Sequence, residues 1–236
     1  MRHRFLFLLT LISSVIYTNR AYSQMYNSVA VEATLRKAED SRISEIKTNI
    51  YISSSGKMVT YYSKPDNIVI INNEKGNVSI YDKNNNTVVQ SQNSHYSSKT
   101  NQLYYFLNNK KGDLGLSEIG FSIKDVSYED GLTVTIWTPP MDGMKYFSSV
   151  KLVHDNDNPI YMEYLDNNEM VVKKVYFYHY EKFDHFDIPK SITQIDFKSE
   201  NDSIVSKTQF KNVSFDSSEI VEKLAYKIPN DAKLIK

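Results

Sequence analysis

Asn67-Ile68-Val69-Ile70-Ile71, Asn72-Asn73-Glu74-Lys75-Gly76-Asn77 and Val78-Ser79-Ile80-Tyr81 follow one another without a break, and their reading decides the fold. Two short runs rich in β-branched residues flank a polar connection, the composition of a strand, a turn and a returning strand. The same rhythm spreads in both directions. Upstream, Ile50–Ile52 and Met58–Tyr62 are separated by Ser53-Ser54-Ser55-Gly56, and the second run stops at Pro65-Asp66. Downstream, the turn Asp82–Asn86 leads into Thr87–Gln90. Connections this short join antiparallel neighbours.

Beyond residue 112 the strands resume as Phe121–Val126, Leu132–Trp137, Phe147–His154, Ile160–Tyr164 and Met170–Tyr180, then Ser191–Lys198, Ile204–Val213 and Lys223–Ile228. Turn residues divide them: Glu129-Asp130-Gly131, Pro139-Pro140, Asp155–Pro159 and Asp166–Asn168. Leu132, Val134 and Ile136 alternate with Thr133, Thr135 and Trp137, as in a sheet with one covered surface. Two segments read as helix. Met25 to about Ser44 has few β-branched residues and many Glu, Lys and Ala, which predicts a short amphipathic N-terminal helix. Leu103, Phe106 and Leu107, spaced by three and four between Ser97 and Gly112, predict a second. A long antiparallel sheet must hide its edges and its apolar face, and curling around or beneath a helix does both.

The N-terminus has the layout of a cleavable secretory signal: Arg2, His3 and Arg4, an apolar run from Phe5 to Tyr17, then small Ala21 and Ser23. The expected organisation is a signal at 1–23 and one domain at 24–236, exported to the periplasm. The apolar run falls short of the roughly 20 residues that span a bilayer. With no cysteine in the chain, no lipobox for bacterial lipidation and no disulfide is expected. Without the signal's Arg2, Arg4 and Arg20, acidic side chains outnumber basic ones, which argues against a nucleic-acid partner.

The chemistry of catalysis is sparse. His179, Glu181, Asp184, His185 and Asp187 form the densest set of potential metal ligands, but their spacing matches no zinc pattern, and a solvated strand end is the expectation. Asp155-Asn156-Asp157-Asn158 opens like a calcium loop yet lacks its glycine and closing glutamate. No nucleophile elbow or phosphate-cradling glycine loop occurs. Neither an enzyme nor a cofactor nor a metal is expected.

Three segments resemble the periplasmic lipoprotein carriers of the LolA and LolB type. Gly56-Lys57-Met58-Val59-Thr60-Tyr61-Tyr62-Ser63-Lys64-Pro65-Asp66 is similar to that family's glycine, strand and proline-led turn; Gly76–Asn84 resembles its next hairpin; and Leu224–Ile235, with Pro229-Asn230-Asp231-Ala232, resembles its closing strand. The resemblance implies a mainly β (α+β) fold, a half-open antiparallel β-barrel with a helical lid over an apolar cavity for acyl chains. It also implies an inner-membrane donor and an outer-membrane acceptor as partners. One departure matters: where the studied carriers hold an arginine that ties the lid, this chain reads Ile68-Val69-Ile70. The candidate cavity lining is Tyr61, Ile68, Ile70, Val78, Ile80, Phe121, Ile123, Val134, Ile136 and Tyr161, and the candidate lid is Leu103, Phe106 and Leu107. The expected function is a carrier of lipoprotein or lipid acyl chains, with a non-catalytic envelope sensor or scaffold as the rival.

Overall fold

The computed structural model describes residues 26–93, 96–108, 110–183, 186–199 and 202–235. The expected signal at 1–23, and Asp184 and His185, lie outside the described residues. Among the described residues fourteen strands form one sheet: Ser28–Glu39 (β1), Arg42–Ser53 (β2), Met58–Lys64 (β3), Asp66–Asn72 (β4), Asn77–Asp82 (β5), Thr87–Gln92 (β6), Ser122–Glu129 (β7), Leu132–Thr138 (β8), Ser149–Asp155 (β9), Asn158–Leu165 (β10), Val171–Phe183 (β11), Phe186–Ser199 (β12), Asp202–Phe215 (β13) and Lys233–Ile235 (β14). The described residues also form the α-helices Gln102–Leu107 (α1) and Ser218–Leu224 (α2).

The spatial order is β14-β6-β5-β4-β3-β2-β1-β13-β12-β11-β10-β9-β8-β7, so β1 pairs with both β2 and β13 and joins two meanders. Among the described strands, β14 alone runs parallel to its neighbour, β6. The sheet is curled: Ile50 and Met58 from one meander share a packed cluster with Leu152, Phe177 and Ile188 from the other, around Leu103, Phe106 and Leu107 of α1. Its ends, β14 and β7, are not joined, which makes it a half-open barrel rather than a closed one. α2 lies on the opposite face, where Ile220 and Leu224 pack on Tyr51, Val59 and Val69.

Two sequence expectations are corrected. The N-terminal helix is strand β1. Val29, Val31, Ala33 and Leu35 alternate toward the α1 side, and pairing on both flanks outweighs the helix propensity of Ala, Glu and Lys. Asp40 and Ser41, both at positive φ, turn the chain into β2 as a two-residue hairpin. The expected strand Lys223–Ile228 instead contains the end of α2, and the closing strand begins at Lys233. Ser217 starts α2 by accepting a hydrogen bond from the Ile220 N–H, and Ile220 and Leu224 sit one turn apart on its buried face.

Candidate functional site

The interior of the curl is organised by a six-residue helix that could not persist alone. Asn101 caps α1 by accepting from the Leu103 N–H at 2.9 Å, and Tyr26 donates its hydroxyl to the Leu107 carbonyl at 2.6 Å. Phe106 has no solvent exposure and its ring stands 5.7 Å from Phe177 and 6.2 Å from Tyr180. Ser98 ties the approach to α1 through its hydroxyl to the Gly56 carbonyl, and Tyr104 donates to Glu74. Burial, reinforced by that carboxylate, raises the Tyr104 phenol above its ordinary pKa.

The strap that leaves α1 is held by a polar network. Lys111, only 8% exposed, donates to Asn158 Oδ1 at 2.6 Å and lies 3.5 Å from Asp187 Oδ2. Asn158 in turn donates to the same Asp187 oxygen at 2.9 Å. Nε2 of buried His154 meets the Lys111 carbonyl at 3.2 Å; a carbonyl can only accept, so Nε2 carries the proton. Lys111, His154 and Asp187 border a cleft of about 750 Å³ also lined by Thr133, Thr135, Phe183 and Phe186. Leu114, Leu116 and Phe121 of the same strap pack on the main cluster.

Burial, with the Lys111 charge nearby, holds His154 below the ordinary histidine pKa of 6.5. The unfolded chain therefore takes up a proton there more readily than the folded one. Stability from this site is complete above about pH 6.5 and declines as pH falls toward the lower folded value. Urea titrations between pH 7.5 and 5 are expected to show that decline, and His154→Gln, which keeps an N–H donor but does not titrate, is expected to flatten it. Glu39 and Glu45, held to about 2 chiefly by hydrogen bonds from Lys198 and Arg36, lose their contribution only below 4.5, outside that window.

α1 covers only part of the inner face. Register places Thr60, Ile70, Ile80 and Val89 in one row with the core residue Ile50, so they share its face, with Ile68 two residues along. Leu35 opposes Ile46, and Thr48 opposes Tyr62, on the same side. Leu35, Ile46, Tyr62, Ile68, Ile70 and Ile80 are half-buried. Burial raises the Tyr62 phenol above its ordinary pKa. An apolar strip therefore continues beyond the helix toward the end of the sheet where β1 meets β2.

The sequence-derived candidates divide by face. Ile68, Ile70, Val78 and Ile80 lie together on the inner side, and Leu103, Phe106 and Leu107 are buried in α1. Phe121 packs on the main cluster, and Ile123 is more than half exposed near an edge. Tyr61 lies on the α2 side, in ring contact with Tyr51 and Tyr226, and donates to the Lys223 carbonyl at 2.9 Å. Val134, Ile136 and Tyr161 alternate with Trp137, Leu152 and Met162 of the core and so face outward; Tyr161 hydrogen-bonds Glu163 and packs on Tyr176. Lys111, His154, Leu35, Ile46 and Tyr62 were not among the candidates. Alternation in Ile46-Lys47-Thr48-Asn49-Ile50 could have found Ile46, whereas Lys110-Lys111 reads as an ordinary surface pair. Among the described residues, no three potential metal ligands come together, and no helix is long and apolar enough to cross a membrane.

No protein-family model and no curated protein matches this sequence. Solved structures do. A LolA superfamily protein from Nitrosomonas europaea superimposes with a TM-score of 0.56 at 11% identity, covering 82% of this chain and 88% of its own. A DUF1329 family protein from Desulfovibrio piger gives 0.56 at 13% identity, over 82% and 88% of the two chains. A domain from Vibrio parahaemolyticus described as an outer membrane lipoprotein-sorting protein gives 0.56 at 9%, over 81% and 86%. At such identities the likeness concerns architecture, and the curled sheet wrapped around α1 is that architecture: this chain has the LolA-type fold.

Proposed function

We propose that this chain is a periplasmic carrier that sequesters acyl chains of lipoproteins or lipids on the inner face of its half-open barrel, for transfer toward the outer membrane. The observation that carries the reading is the half-buried inner strip containing Ile68, Ile70 and Ile80, an apolar surface that α1 leaves available. Removing such surface from water is worth roughly 25 cal/mol per Å², so a hydrocarbon tail can bind there without an ionic or catalytic group. The fold shared with a lipoprotein-sorting domain supports it. The reading requires no cofactor and no nucleotide. Direction would come from a donor at the inner membrane and an acceptor at the outer membrane with different affinities.

The test is displacement of a fluorescent fatty-acyl probe by lipopeptide, using the mature protein. The Ile70→Ser and Ile80→Ser double variant is expected to weaken probe binding about tenfold, corresponding to about 1.4 kcal/mol. Absence of probe binding to the wild-type protein, and of co-purifying lipid in a solvent extract, would sink the reading. Burial of Leu103 to Leu107 in α1 favours a second one, a non-catalytic sensor or scaffold in which the helix is a permanent plug. That version expects one stable stoichiometric partner in a pull-down rather than transient contact with many lipoproteins.

A further inference from the structure

Three connections meet at one end of the sheet: residues 119–121 leading into β7, 139–148 joining β8 to β9, and 166–170 joining β10 to β11. They are contiguous. The Ser148 N–H donates to the Leu165 carbonyl at 2.9 Å, and a Cβ added at Gly120 would lie 3.3 Å from Pro140. Polar residues usually fill such turns. Here 119–121 and 139–148 expose Ile119 (61%), Met141 (86%), Met144 (47%) and Tyr146 (61%), and 166–170, otherwise polar as Asp166-Asn167-Asn168-Glu169, adds Met170 (52%). At the opposite end the β7–β8 and β9–β10 connections read Glu129-Asp130-Gly131 and Asp155-Asn156-Asp157-Asn158, beside the exposed Tyr128.

We infer that this rim is a docking surface for a lipid bilayer. Contiguous exposed apolar side chains on a soluble face mark an interaction site. Several features favour a bilayer over a protein groove. The side chains sit on connections between strands, and unbranched methionines adapt to a partner of no fixed shape. Lys145 holds its ammonium 5.1 Å from the Tyr146 ring, the pairing of amphipathic ring and long cation that suits the boundary between headgroups and acyl chains. The rim also lies at the end toward which the half-buried inner strip runs, so a tail withdrawn from the bilayer would enter without crossing the polar end. That last point rests on the carrier reading; the docking itself does not.

The chain has no cysteine, so single labels are clean. A polarity-sensitive dye at Met141→Cys is expected to shift to the blue on addition of phosphatidylethanolamine and phosphatidylglycerol vesicles, and the same dye at Asn156→Cys is expected to stay unchanged. Met141→Glu with Met144→Glu is expected to weaken vesicle partitioning about tenfold or more while leaving thermal unfolding and acyl-probe binding in solution as in wild type. No shift at 141, equal shifts at both positions, or undiminished partitioning of the Glu variant would overturn the inference. So would a shift at 141 that follows protein concentration without vesicles, which would assign the rim to a second copy. Probe binding without vesicles reports on the carrier reading alone, so the two can fail separately.

Discussion

Phe106→Ala is expected to destabilise the protein by about 3–5 kcal/mol, read as a lower midpoint in urea with an unchanged slope. Phe106 has zero exposure and touches rings from β11 inside the curl, so its removal leaves a void that the surrounding strands, bonded to one another, cannot close. An apolar void of that kind stays dry and accepts hydrocarbon. The variant, measured below its unfolding transition, is therefore expected to bind the acyl probe more tightly than wild type. Weaker binding would mean that α1 forms part of the acyl site rather than occluding it. A cost below about 1 kcal/mol would mean that α1 is already displaced in solution, since a side chain packed on every side cannot be truncated so cheaply.

The strand framework was legible because hairpins write themselves locally: Ile68–Ile71 and Val78–Tyr81 fall within β4 and β5, and Asp155–Asn158 spans the turn between β9 and β10. The terminal errors have one cause. Residues 28–39 carry Ala, Glu, Lys and Arg in a period-two frame whose alternation is plain only once both neighbours are known. Residues 223–228 carry a strand-like composition, but Ser217, Glu219 and the Ile220-to-Leu224 spacing start a helix just before them. Curvature was not written in any single segment, since it comes from β1 joining two meanders.

The site was legible by strand but not by face. A period-two pattern says that two faces differ and not which one the interior takes. In β8 the threonine and tryptophan side turned inward because Trp137 packs with Val150, leaving Val134 and Ile136 on the other face, where Val134 is still buried. In β4 and β5 the isoleucines turned inward because Val69 and Tyr81 took the α2 side. In β4 and β5 the choice is made by an element more than a hundred residues away, α2, and in β8 by the neighbouring strand; no spacing within the strand itself records either.

Asp187→Ala carries the other large expected effect. Lys111 is buried beside a carboxylate that also receives the Asn158 amide, so deleting the carboxylate leaves an ammonium with the Asn158 oxygen as its near polar partner. Breaking one side of a buried pair costs about 3–5 kcal/mol. The lower end is expected here, because water still reaches part of Asp187. Lys111→Met is expected to cost less, since the stranded carboxylate keeps its Asn158 donor and its solvent. Adding Asp187→Ala to Lys111→Met then removes both charges and is expected to recover stability relative to Asp187→Ala alone. The double-mutant cycle measures the coupling directly, and a value near zero would show the ammonium to be solvated despite its geometry. The consequence extends to exchange. Lys111 anchors the strap whose Leu116 and Phe121 close the interior beside α1, so loosening it is expected to speed release of the acyl probe in stopped-flow dilution. A variant that loses stability while its release rate stays fixed would separate the anchor from the path of the ligand, and would place entry at the apolar end of the strip instead.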